Sequence, residues 1–411
     1  MRRRSASSAT RLASKLFSRS LGSCIVTSMK LKTPHLLIGL GVIVLLLAFI
    51  LPNLNGSKYL RSAKAGGDYL VSHIYDDGSF VYEYDPVTGD ESSTYNILRH
   101  AGTAYSLIDL YEATKDERYL RAGEQALVYL NDQVVPCPGI VDAACVKEGD
   151  EIKLGGNGLA VLAFAEHALV TGSTEYLAQA QALAQFMVAT QNPDGEFSIH
   201  KMDSAGTVND FTSGYYPGEA IFALARLHDV DGNDVWIDTA HKAAHWLIEV
   251  RDADVATPDL NHDHWLLYGL NELYTNRADA AYLAHAHRIV KSIEAIQHHD
   301  QTGDKADWNG GFYNPPRSTP TATRSEGLGA AYELFMQAGD ETSAMNAKDI
   351  MKKALEFQLR TQFTARQLAS LDADPTAVGA FHESLDEYEV RIDYVQHNVS
   401  ALLSFDRIEN K

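Results

Sequence analysis

The chain alternates between two kinds of apolar segment, and this alternation runs almost its whole length. One kind is amphipathic and opens on a large apolar pair: Tyr59–Leu60, Tyr119–Leu120, Tyr176–Leu177, Trp236–Ile237, Tyr282–Leu283, with a fainter sixth copy from Ala344. Its apolar residues recur three and four apart while Lys, Glu and Gln take the opposite face, which predicts helices with one side in water. The other kind is richer in Ala and Gly and apolar nearly all round, covering residues 94–113, 156–171, 216–228, 263–275, 322–338 and 393–405. Such helices are predicted to be enclosed on most sides. Polar breaks such as ATKDER, VTGSTE, HDVDGND and QAGDET divide the second kind from the first.

The copies recur at a spacing of roughly fifty to sixty residues, the mark of an array of helical hairpins that cannot bury their apolar faces alone. Six pairs predict an all-α protein, an (α/α)6 toroid over residues 56–411. The first outer helix has no inner helix before it, and the last inner helix has no outer helix after it. The chain ends are therefore expected to complete the sixth hairpin. Four outer helices are followed by DGSF at Asp77, DGEF at Asp194, NGGF at Asn309 and VGAF at Val378. These predict tight turns and short β-hairpins on one rim, above the N-termini of the inner helices.

The first fifty residues differ. Residues 36–51 are uninterrupted apolar sequence, preceded by eight Arg and Lys residues and no acidic residue before Asp68. The pattern predicts a basic cytoplasmic segment (1–35), a transmembrane signal-anchor (36–52) with its N-terminus inside, and a main domain (56–411) on the periplasmic or outer side. A cleaved signal peptide is the competing reading, and Met29 offers an alternative start. Beyond residue 32 the 54 acidic residues face 27 basic ones, so nucleic acid is not an expected partner. Cys24 lies in the leader, whereas Cys137 and Cys145 bracket the loop CPGIVDAAC and are expected to form a disulfide outside the cytoplasm. There is no Cys/His zinc spacing, and neither a metal nor another cofactor is expected.

In a toroid the lumen is the concave site, and the polar residues that begin the inner helices are expected to point into its mouth. Arg99, His100, Asn157, Tyr216, Glu219, Asp263, His264, Arg324, Glu326, Arg391, Tyr394 and His397 form that constellation. Charged groups on helices too apolar to be exposed need a reason to be there. His262, Asp263 and His264 are adjacent, so they point in different directions and do not jointly chelate one ion. Proton abstraction from a uronic acid needs an acid/base pair and cations for the carboxylate. His100, Tyr394 and His397 are the acid/base candidates, Glu219 and Glu326 the orienting or catalytic carboxyls, and Arg99, Arg324 and Arg391 the carboxylate binders. Asn157, Tyr216, Asp263 and His264 are assigned to substrate binding. Glycoside hydrolysis needs two carboxyls flanking one bond, for which Glu219, Asp263, Glu326 and Asp393 are candidates.

With phrases such as ATKDERYLRAGEQALVYL and GNGLAVLAFAEHALVTGSTEYL, residues 56–411 resemble the six-hairpin, (α/α)6-toroid superfamily of carbohydrate-active proteins. That superfamily includes six-hairpin glycosidases, N-acylglucosamine epimerases and the C-terminal domain of glucuronyl C5-epimerases. The resemblance implies a polysaccharide or oligosaccharide substrate. The reading that combines it with the residues is a membrane-anchored epimerase or lyase acting on an acidic polysaccharide. A six-hairpin glycoside hydrolase is the alternative, and a non-catalytic glycan-binding component of cell-envelope glycan machinery is a third.

Overall fold

The computed structural model describes residues 56–411. The segments expected at 1–35 and 36–52 lie outside the described residues. Among the described residues no helix is long and apolar enough to cross a membrane.

Six outer helices run over Lys58–Ser72 (α1), Glu117–Asp132 (α3), Leu177–Thr190 (α5), Asp234–Trp246 (α7), Ala280–Ile296 (α9) and Glu341–Gln358 (α11). Between and after them come the inner helices Ile97–Thr114 (α2), Leu154–Thr171 (α4), Tyr216–Asp231 (α6), His264–Asn276 (α8), Ser318–Gln337 (α10) and Ile392–Glu409 (α13), with a short helix, Ala365–Leu371 (α12), in the last connection. Burial follows the two sequence patterns. In α3 only the stripe Tyr119, Ala122, Gly123, Ala126, Leu127 and Leu130 is buried, whereas α4 is buried continuously from Leu154 to His167. The inner helices pack side by side as α2, α4, α6, α8, α10, α13 and back to α2, which closes the ring. As expected, the first outer helix packs chiefly on the last inner one.

The recurrent aromatic at the head of the outer helices has a physical use. In the first, second and fifth copies its ring is buried and its hydroxyl reaches the neighbouring outer helix: Tyr119 donates to Asp68 at 2.9 Å, and Tyr282 pairs with His241 Nδ1 at 2.6 Å. Tyr59, in the first outer helix, donates to Glu356 of the last at 3.2 Å. The same contact that joins neighbours thus also joins the first outer helix to the last. The polar breaks end helices by left-handed caps, at Gly172 (φ 74°) after α4 and Gly232 (φ 69°) after α6.

All strands lie in connections from an outer to an inner helix, hence on one rim. Glu83–Tyr84 (β1) pairs antiparallel with Val390–Arg391 (β6), and Val134–Pro136 (β2), Ala144–Glu148 (β3), Glu151–Lys153 (β4) and Lys201–Asp203 (β5) form an antiparallel sheet in that order. Cys137 and Cys145 are joined in a disulfide beside the β2–β3 pairing. The four repeated turns place Gly78, Gly195, Gly310 and Gly379 at φ between 89° and 105°. At each, a Cβ would collide with a backbone carbonyl of a neighbouring outer helix: that of Gln125, Lys242, Lys353 or Ala65. Glycine is required there twice over, by conformation and by space.

Candidate active site

The rim that carries the strands opens into a cavity of about 340 Å3, and all six inner helices contribute to its wall. Asn96 caps α2, accepting from the amides of Leu98 and Arg99, and so sets Arg99 at the mouth. Pro217 occupies the first turn of α6, where its missing N–H costs nothing, and Glu219 follows one turn in. Asp263 caps α8 by accepting from Leu266 at 3.1 Å, so that His264 begins the helix facing the lumen. A larger groove, about 880 Å3, lies outside the ring between α9 and α11, lined by residues such as Glu294, Asp349 and Lys353. It holds none of the polar constellation.

The centre of the site is a trio from three different helices. His397 Nδ1 lies 2.7 Å from Glu326 Oε2, and His264 Nε2 lies 3.9 Å from the same oxygen. The two imidazole rings are 5.2 Å apart, edge to face. Glu326 is 1% exposed, and its burial raises its pKa against the pull of His397. A carboxylate on Nδ1 fixes the tautomer of His397 and leaves Nε2 for proton exchange. His264 differs, since neither of its nitrogens has a hydrogen-bond partner. Burial first, then His397 and Arg324, hold its pKa well below the usual histidine range. It rests as a neutral imidazole. Donor atoms of His264, Glu326 and His397 all lie within 4.8 Å of one another, so the trio also has the ligand set for one metal ion.

Across the cavity, Glu219 is fully buried with Oε2 unpartnered, and a Cβ on Gly155 would strike that oxygen. Burial, reinforced by Asp263, raises its pKa well above the usual carboxylate range and favours the acid form. Asp393 is the opposite case. Burial would raise its pKa, but Arg391 at 2.6 Å and Arg99 at 3.3 Å keep it below the ordinary value. Arg324 lines the same cavity. Its Nε donates to His262 Nδ1 at 3.0 Å and its Nη1 to the Pro320 carbonyl at 2.8 Å. No carboxylate pairs with it among the described residues.

Several residues expected at the mouth are elsewhere. His100 is completely buried and faces the neighbouring outer helix, with Nε2 on the Ala126 carbonyl at 2.8 Å and Nδ1 on Tyr95 at 2.7 Å. Burial lowers its pKa to about 4. Adjacent helix positions diverge by roughly 100°, so Arg99 and His100 cannot share a face. Asn157 accepts from the Val146 amide at 2.7 Å and pins β3 to α4. Tyr394 is 2% exposed beneath the Arg391 guanidinium, 4.4 Å from its ring centre. Arg391 itself is turned to Asp393 and Glu83 rather than into the cavity. Asp263 sits behind Gly218 as a cap. Those five are therefore corrected from contact residues to supporting ones. Arg99, Tyr216, Glu219, His264, Arg324 and His397 do line the cavity, with Glu326 behind His397. Tyr313 was not singled out by the sequence, although its place between Gly310–Gly311 and Pro315–Pro316 marks a constrained loop carrying an aromatic.

The same architecture is found in solved structures of enzymes that act on sugars. The chain is similar to a D-mannose isomerase (TM-score 0.64, 15% identity, 87% of this chain and 99% of that one). It is also similar to cellobiose 2-epimerase from Bacillus thermoamylovorans (0.63, 12%, 83% and 95%), and to a family 76 glycoside hydrolase, a mannosidase, from Bacteroides thetaiotaomicron (0.61, 13%, 86% and 100%). No protein-family model matches the chain, and no curated protein matches it in sequence. At these identities the likeness defines the fold: the chain is a six-hairpin (α/α)6 toroid of the kind these carbohydrate-active enzymes share.

Proposed function

We propose that the chain is a carbohydrate-active enzyme that transfers a proton at carbon, an epimerase, isomerase or lyase, on an acidic saccharide. The observation that carries this reading is the pair of imidazoles 5.2 Å apart on the cavity wall, one with both nitrogens free and one anchored to a buried carboxyl. A neutral imidazole accepts a proton from a carbon next to a carbonyl or carboxyl group, and the electron pair moves onto that group's oxygen. His397, oriented by Glu326, delivers and recovers the second proton. Arg99, on the same wall, offsets the charge that develops on oxygen. Arg324 supports a substrate that brings its own carboxylate, because its guanidinium has none from the described residues. Of the three arginines expected to bind carboxylate, Arg324 keeps that role, Arg99 shares it with Asp393, and Arg391 is withdrawn.

The test is solvent exchange. In deuterium oxide, uronic-acid saccharides and neutral aldoses are followed by NMR, with reducing ends and unsaturated-uronide absorbance measured in parallel. Deuterium at one carbon, abolished by His397→Ala, is the expected result. Chelation should leave the rate unchanged; a loss restored by zinc would turn the trio into a metal centre instead. A second reading has its own support, since Glu219 and Asp393 line one cavity in surroundings that push their pKa values apart, the first up by burial and the second down by Arg391 and Arg99, as glycoside hydrolysis uses. New reducing ends without deuterium at carbon would establish that reading and sink the first. Binding without any turnover would favour a glycan-binding component.

We also propose that residues 36–52 anchor the domain outside the cytoplasmic membrane, near the cell-envelope glycan machinery. The basic flank and the paired cysteines support this. A C-terminal alkaline phosphatase fusion should be active and membrane-bound; an inactive fusion would overturn it.

A further inference from the structure

We infer that the site has a second saccharide subsite beyond Tyr313, with Arg324 at the junction to hold the carboxylate of an anionic oligosaccharide that spans both. The inference rests on the reading of this cavity as a sugar site, but not on which reaction takes place there. A cavity of about 360 Å3, lined by Ile296, His298, Tyr313, Asn314 and Arg324, adjoins the one already described. Tyr313 and Arg324 belong to both walls.

Tyr313 is 52% exposed and is held at φ 80°, a conformation that costs a bulky residue energy and persists only where its surroundings enforce it. The enforcement is visible. His298 donates to the Gly311 carbonyl at 3.0 Å and accepts from the Gly310 amide at 2.8 Å, and its ring Nε2 meets the Tyr313 carbonyl at 2.5 Å. An exposed ring presented so firmly is a stacking platform for the apolar face of a sugar. The Arg324 guanidinium lies 5.2 Å from the Tyr313 ring centre and 5.3 Å from that of Phe312. It is 8% exposed, with its Nε and Nη1 committed to His262 and Pro320. A cation this enclosed, with no anion from the described residues, is compensated by one that the ligand supplies. Nη2 and the second N–H of Nη1 remain to donate to a carboxylate, and a charge-assisted pair of that kind selects an acidic sugar over a neutral one. Because Arg324 stands between the cavities, its carboxylate belongs to a chain that crosses from one to the other.

The test is titration calorimetry of the full chain with galacturonic acid, its di- and tetrasaccharides, and neutral oligosaccharides of the same lengths. The disaccharide is expected to bind at least about tenfold more tightly than the monosaccharide, a difference of about 1.4 kcal/mol. Tyr313→Ala should shrink that ratio to about twofold. Arg324→Gln should erase the preference for acidic over neutral chains, and Arg324→Lys should restore part of it. If Arg324→Gln fails to fold, the exposed Tyr313 still decides the matter. Equal affinity for all lengths, or a Tyr313→Ala loss that is the same for monosaccharide and disaccharide, would overturn the subsite. Length-dependent binding without deuterium uptake would fail the proton-transfer reading alone, and deuterium uptake without length dependence would fail the subsite alone.

Discussion

At the lower end of the lumen, the second halves of the inner helices enclose a cavity of about 320 Å3 whose two buried carboxylates are each paired with an arginine. Glu166 accepts from Arg226 at 2.6 Å, and Asp109 is bound by Arg407. At the upper end, among the described residues, Glu219 Oε2 and both nitrogens of His264 have no hydrogen-bond partner, and no carboxylate meets Arg324. Between the two, Phe222 stacks on Tyr268 at 5.0 Å and on Trp265 at 6.2 Å. The same helices therefore build two polar chambers of similar size from similar side chains. Burying a polar group without a partner costs free energy, and burying a charge costs more. The lower chamber pairs its buried carboxylates with arginines, whereas the upper one holds a carboxyl, an imidazole and a guanidinium without a counterpart among the described residues, the kind of imbalance found at functional sites.

The comparison is broken or sharpened first by removing one group from each end. His397→Ala should lower kcat/KM by about 10²- to 10⁴-fold, the usual contribution of an acid/base group, with little change in thermal unfolding. Arg226→Ala should do the reverse. It leaves Glu166 buried and unpaired, so denaturant unfolding should show a loss of about 3–5 kcal/mol while turnover per folded molecule is retained. A turnover defect in the Arg226 variant, or a stability defect of that size in the His397 variant, would erase the distinction between the ends.

A smaller effect concerns the carboxyl behind the upper cavity. Burial raises the pKa of Asp263 from 3.8 to about 7. Folded and unfolded chains are both protonated below about pH 4, and there its contribution to stability is complete. As the pH rises toward 7 the unfolded chain loses this proton first, so the contribution is lost across that window. Asp263→Asn keeps a capping side chain and removes the titration. Its melting temperature should match the wild type at pH 4 and exceed it by a few degrees at pH 8. An equal difference at both pH values would mean that Asp263 is ionised in the fold.

Much of the scaffold was legible in the residues. The inner helix expected at 216–228 is found at Tyr216–Asp231, and that expected at 263–275 at His264–Asn276. The four turn motifs fall on four left-handed glycines. The site was legible only as a pool of candidates. His264 and His397 were both in it, but nothing local shows that their rings meet, or that Glu326, 71 residues before His397, bridges them. Arg99 and His100 are adjacent basic residues in the sequence, and a rotation of one residue, roughly 100°, sends one to the cavity and the other to the neighbouring outer helix. Tyr313 was missed because its exposure depends on a loop pinned by His298.

The residues alone determined which helices are inner and which outer, and that the first outer helix pairs with the last inner one. Burial of apolar surface is roughly additive along a chain, so its periodic pattern is written residue by residue. Which polar groups are satisfied and which stand open was decided only in three dimensions. Hydrogen bonds and ion pairs act over a few ångströms between residues from different helices, so one residue type serves as the partner of Arg226 at Glu166 and as a carboxyl with a raised pKa and an unpartnered oxygen at Glu219.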